Sequence, residues 1–188
     1  MLSDEDRRFL LRLARDSMAA FAAGEVLQDP LDVPESARAA QGAFVSLHKA
    51  GQLRGCIGYV EGIKPLWQAV RDLAVEASVH DPRFPPVRPR EVEEVDIELS
   101  VLGLLERIKG AGDVEIGAHG LLIRSRGRSG LLLPQVATEH AWDAPKFLEQ
   151  TCWKAGLPLD EWQSPSSELY RFGAEVFGEK SLGLWPPE

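Results

Sequence analysis

Cys56, one of two cysteines in the chain, sits in Leu53-Arg54-Gly55-Cys56-Ile57-Gly58, with an arginine two residues before it and glycines close on either side. The thiolate is the reactive form of cysteine, and a neighbouring guanidinium favours it. In an extended strand residues i and i+2 share a face, about 7 Å apart along the backbone, so Arg54 and Cys56 are expected side by side. Gly55 and Gly58 leave the flanks of the thiol bare, so that another backbone or a ligand can come close. A plainer reading stands beside this one. Free cysteine is among the most buried residue types, and glycines also mark bulges and tight strand crossings.

The elements around this stretch decide which groups face the sulfur. Two β-rich runs, 43–48 and 53–60, flank Ala50-Gly51 and predict a hairpin. With a two-residue loop, Val45 lies opposite Cys56 and Leu47 opposite Arg54. A one-residue bulge at Gly51 instead brings Ser46 and His48 onto that face, and His48 becomes a possible base. Downstream, Asp81-Pro82-Arg83-Phe84-Pro85-Pro86 carries three prolines in five residues, where a helix stop needs only one. That stiffness predicts a positioned Arg83, a second guanidinium for the thiol or for an anion. Asp81 and Glu98 are the carboxylates expected to orient an arginine.

The rest of the chain reads as alternating helices and hairpins. Ser3, Glu5 and Asp6 open an amphipathic helix through Phe9, Leu10, Leu13, Ser17 and Phe21 that Gly24 stops. Residues 65–79 repeat apolar side chains at helical spacing, and 95–101 alternate as a strand with Asp96, Glu98 and Ser100 on the polar face. A second hairpin, 120–123 with 130–133, has a basic tip at Arg124, Arg126 and Arg128. Surface solvation explains this tip most simply, with anion binding the lesser reading. A helix opened by Asp143 puts Cys152 on its inner stripe, and 169–177 reads as one last strand before a short tail. Strands in hairpins or between helices, without regular βαβ alternation, give the class α+β with mostly antiparallel sheet and flanking helices.

Composition narrows the function classes. A chain of 188 residues with 44% hydrophobic and 27% charged residues is ordinary for a globular protein. The formal charge of −8 argues against non-specific nucleic-acid binding, which needs many cations on phosphates. Two distant cysteines, a charged N-terminus and no long apolar run predict reduced thiols, no membrane span and a cytoplasmic home. No phosphate-binding loop, dinucleotide fingerprint, Cys-x-x-Cys or His-Glu-x-x-His occurs, and His48, His80, His119 and His140 are scattered. Neither a cofactor nor a metal site is expected.

Six blocks occur together in order: Gly42-Ala43-Phe44-Val45, Leu53 to Gly58, Asp81-Pro82-Arg83-Phe84-Pro85, Glu98-Leu99-Ser100-Val101-Leu102, Leu132-Leu133-Pro134-Gln135-Val136-Ala137, and Phe147 to Leu157. Through them the chain resembles the AMMECR-type domain family, also called protein A of the AmmeMemoRadiSam system, over nearly its whole length. The resemblance implies one domain of two lobes with a cleft between them, the larger built from about 1–61 and 112–188 and the smaller from about 62–111. It implies that Arg54, Gly55, Cys56, Ile57 and Gly58 form the family signature, and that the partners are a Memo-type protein and a radical-SAM enzyme.

Two functions are weighed. The favoured one is a recognition module in which Arg54, Gly55, Gly58, Arg83, Asp81, Glu98 and His48 surround a small anionic or nucleotide-like ligand or an RNA segment. The alternative is an enzyme with Cys56 as nucleophile.

Overall fold

A computed structural model describes residues 1–186, so the last two residues of the tail lie outside the described residues. Helix α1 (Asp4–Ala23) begins where Ser3 and Asp6 exchange side-chain and backbone hydrogen bonds, and it ends at Gly24, whose φ of 74° is left-handed. Strands β1 (Ala43–Lys49) and β2 (Gln52–Tyr59) form the expected hairpin, followed by α2 (Leu66–Val79) and β3 (Val95–Leu102). Then come β4 (Glu106–Ile108), β5 (Gly120–Ser125), β6 (Arg128–Leu132), α3 (Pro134–Glu139), α4 (Ala144–Lys154), β7 (Glu168–Phe172) and β8 (Ala174–Gly178). The strands form two four-stranded sheets, ordered β2-β1-β3-β8 and β4-β7-β5-β6. The fold is α+β with antiparallel sheets and flanking helices, as expected.

The chain divides into two compact units, 1–101 with 175–188, and 102–174. In the first, Val45 and Leu47 of β1 and Ile97 and Leu99 of β3 share a core with Leu10 and Leu11 of α1 and Leu66, Val70 and Leu73 of α2. In the second, Ile108, Leu121, Ile123 and Leu169 pack against Phe147, Leu148 and Cys152 of α4. These boundaries differ from the expected smaller lobe at about 62–111. The apolar stripe of α2 and the inner face of β3 are buried in the same core as β1, which makes 62–101 part of the first unit.

The run 169–177 is not one strand. It breaks at Gly173, with β7 in the second sheet and β8 in the first. Gly103 N–H donates to Gly173 O (2.8 Å) and Glu179 N–H to Ile97 O (3.0 Å), so β3 and β8 run antiparallel, and the second unit lies between them in the chain. Past β8, the Glu179 carboxylate is buried. It accepts from Ile97 N–H (2.8 Å) and from Arg15 Nε of α1 (2.9 Å), while Arg15 Nη2 donates to Val95 O (2.7 Å).

Candidate functional site

Cys56 is on β2, the edge strand of the first sheet, and is half-buried. Ala50 and Gly51 both take left-handed φ (51° and 79°), which suits a two-residue hairpin loop, and Lys49 pairs with Gln52 and His48 with Leu53. The register then slips: Leu47 pairs with Gly55, leaving Arg54 as the extra residue of a bulge. Ser46 therefore faces Cys56. The two-residue loop comes from one expected register and the facing pair from the other, because the bulge falls at Arg54 and not at Gly51.

Ser46 Oγ donates to Cys56 Sγ at 3.3 Å. Across β1, Glu98 of β3 pairs with Ser46, so thiol, hydroxyl and carboxylate residues form one row over three strands. His48 pairs with Leu53 and Asp96, two residues along the strand, about 7 Å from the serine. The side chain on β1 that contacts the sulfur is a serine.

The stiff loop after α2 closes the site from the edge. Asp81, with 2% of its side chain exposed, accepts four N–H groups: Arg83 N (3.0 Å) and Nε (2.9 Å) on Oδ1, and Arg83 Nη2 (2.6 Å) and Cys56 N (2.8 Å) on Oδ2. The Arg83 guanidinium and these backbone donors hold the Asp81 carboxyl well below the usual carboxylate range, against burial, which acts the other way. Arg83 Nη2 also reaches Cys56 O (3.4 Å). Its guanidinium is held charged above its ordinary range, first by the hydrogen bonds to Asp81, with the Cys56 side chain acting in the same sense. Arg83 is the guanidinium beside the thiol, and 52% of its side chain is exposed.

Arg54 goes elsewhere. Displaced by the bulge, it donates from Nη2 to Glu91 Oε2 (3.3 Å) and Pro86 O (3.4 Å), while Nη1 is buried with no partner among the described residues. The expected pairing of Arg54 with Cys56 on one face of a regular strand is thereby replaced.

The glycines admit the protein itself. A Cβ on Gly55 would lie 2.2 Å from Ala77 O of α2, and one on Gly58 would lie 2.2 Å from the Phe44 ring and 2.6 Å from Ala43 O. Close packing accounts for both.

The basic hairpin tip is also committed internally. Arg126 Nη2 lies 2.9 Å from the Glu161 carboxylate, Arg128 donates to Gly156 O, and Arg124 lies over the Tyr170 ring. Among the described residues no group of three or more His, Cys, Asp or Glu is placed to hold a metal ion, and no helix is long and apolar enough to cross a membrane.

A family model, AMMECR1, matches residues 11–177. The chain belongs to the AMMECR1 family. It is 44% identical to a protein of Thermococcus gammatolerans, covering 95% of this chain and 93% of that one, and 44% identical to a protein of Methanothermobacter thermautotrophicus, covering 95% and 96%. It superposes on the crystal structure of an uncharacterised Pyrococcus horikoshii protein with a TM-score of 0.89 and 39% identity, covering 97% and 95% of the two chains. Within the AMMECR1 match lie all eight expected site residues, and every one of them is in the first unit. Ser46 entered the expectations only through one of two registers. Glu91, the partner of Arg54, did not enter them, since no spacing rule links a carboxylate in a 3-10 turn to an arginine 37 residues earlier.

Proposed function

We propose that this AMMECR1-family protein recognises a small ligand through an oxyanion held at Arg83, with the Cys56 thiol and the Ser46 hydroxyl as further contacts. One observation carries the reading: a nearly fully buried carboxylate spends four hydrogen bonds on fixing Arg83 and the backbone of Cys56, while the arginine stays half-exposed. A guanidinium oriented in this way loses little freedom when an oxygen docks on its remaining N–H groups. Because Asp81 neutralises Arg83, the attraction is short-range and directional. Asp81 is a positioning residue, and Glu98 and His48 are neighbours, the first in the row and the second two residues along β1.

The test is protection of Cys56. Small carboxylates, phosphates and nucleotides are screened for slowing its alkylation by iodoacetamide, mapped by mass spectrometry. A true ligand protects the wild type, binds Cys56→Ala with little loss, and loses at least tenfold in affinity to Arg83→Ala. Ligands that bind Arg83→Ala as well as wild type would sink the reading. An RNA segment in the same role would bind with steep salt dependence.

A second reading makes Cys56 a nucleophile. It is favoured by the hydroxyl donor at 3.3 Å from the sulfur and the guanidinium beside it, with His48 two residues along β1 from Ser46 as the base. It requires turnover that Cys56→Ser abolishes; turnover that survives removes it. The accessory role with a Memo-type protein and a radical-SAM enzyme is part of the proposal. It predicts co-elution of the purified proteins on gel filtration, and independent elution would count against it.

A further inference from the structure

The bulge that turns Arg54 away from the thiol delivers it to a separate cavity of about 450 Å³, which it lines with Lys49, Arg88 and Arg90. Two carboxylates, Glu91 and Glu94, face these four cations. The inner charges are matched: Lys49 Nζ lies 3.1 Å from Glu91 and 2.6 Å from Glu94, and Arg54 shares Glu91 at 3.3 Å. Arg88 and Arg90 have no ion pair among the described residues, although the protein as a whole carries a formal charge of −8. The cavity therefore keeps a surplus of two positive charges.

Two further observations point to a ligand. Arg54 Nη1 is buried without an acceptor among the described residues, although buried polar groups are nearly always paired. The walls are also stiff before anything binds. Pro85 and Pro86 form one side, and Pro89 fixes the backbone between Arg88 and Arg90 at the start of a 3-10 turn. Rigid walls reduce the ordering cost of binding.

We propose that this cavity binds a phosphate dianion, carried by a small organic phosphate whose remainder lies on the prolines. A surplus of two positive charges matches a phosphate monoester near neutral pH, and guanidinium groups match its oxygens in bidentate geometry. The volume is that of a small-ligand pocket. The site goes beyond the Arg83–Cys56 reading and does not depend on it.

The experiment is equilibrium dialysis of the full chain against inorganic phosphate and, separately, phenyl phosphate at constant ionic strength. The expected result is one saturable site per chain, weakened at least tenfold in Arg88→Ala/Arg90→Ala and unchanged in Arg83→Ala. Both altered side chains are exposed, and a melting curve matching wild type checks the fold; Arg90→Ala alone, expected to lose about threefold, covers failure of the double variant. Tighter binding of phenyl phosphate identifies an organic phosphate, and equal binding identifies phosphate itself as the ligand. The proposal is overturned by absence of saturable binding, by binding that the double variant retains, or by binding lost in Arg83→Ala, which would move the anion to the Asp81 loop.

Discussion

Asp81 gives up nearly all contact with water and receives four N–H groups in return, one of them from the edge of β2 at Cys56. Truncation in Asp81→Ala leaves that edge N–H and the Arg83 fork without their acceptor. The expected loss is about 1–3 kcal/mol, read from urea unfolding, together with faster alkylation of Cys56 as the loop loosens. Acid should act through the same group. The Asp81 carboxyl is depressed well below its ordinary range by Arg83. Glu91 is lowered to about 2, first by the Arg88 backbone N–H and then by Lys49 and Arg54. Carboxylates whose folded value is depressed stabilise the fold above their unfolded values of about 4, and that stability is lost as pH falls toward the folded ones. The urea midpoint should therefore fall between about pH 4 and 2, and the fall should be shallower in Asp81→Asn and Glu91→Gln.

Elements were legible where one local rule settles them. Ser3 and Gly24 mark both ends of α1, Asp143 caps α4, and Cys152 is buried on the inner stripe as its spacing implies. Phe21 departs from this pattern because the buried stripe of α1 runs through Leu11, Ala14 and Met18, leaving Phe21 half-exposed. The bulge at Arg54 was not legible, since a one-residue slip has no composition signal and yet decides which guanidinium meets the thiol. Nor was the break at Gly173, because β7 and β8 alternate well enough to read as one strand while joining different sheets. The glycines were visible but their reason was not: only the packed α2 shows what Gly55 makes room for. Gly55→Ala should cost more than about 2 kcal/mol, since backbone atoms of α2 have to move. Gly51→Ala meets nothing within 4 Å and should cost only about 1 kcal/mol for its left-handed φ. Equal losses in thermal unfolding would contradict this account.

At the scale of the molecule, the second unit is an insertion with its own core and with its ends joined by the Gly103–Gly173 hydrogen bond. Residues 102–174 expressed alone should fold, with dispersed amide signals and a cooperative melt, even at roughly 70 residues, near the lower limit for an independent domain. A disordered fragment would show that the core around Phe147 and Leu169 is insufficient. The first unit has a different dependence, since β8 and Glu179 come from beyond the insertion. On a ribosome adding roughly 5–20 residues per second, several seconds separate Val101 from Glu179. Through that interval β3 waits as an open edge and Arg15 waits for its carboxylate, while the inserted unit is being made and has its whole sequence only shortly before Glu179 is added. The half of the protein that bears Cys56 is begun first and completed last, so a nascent chain stalled before residue 179 carries the Cys56 strand in a sheet that is still unfinished.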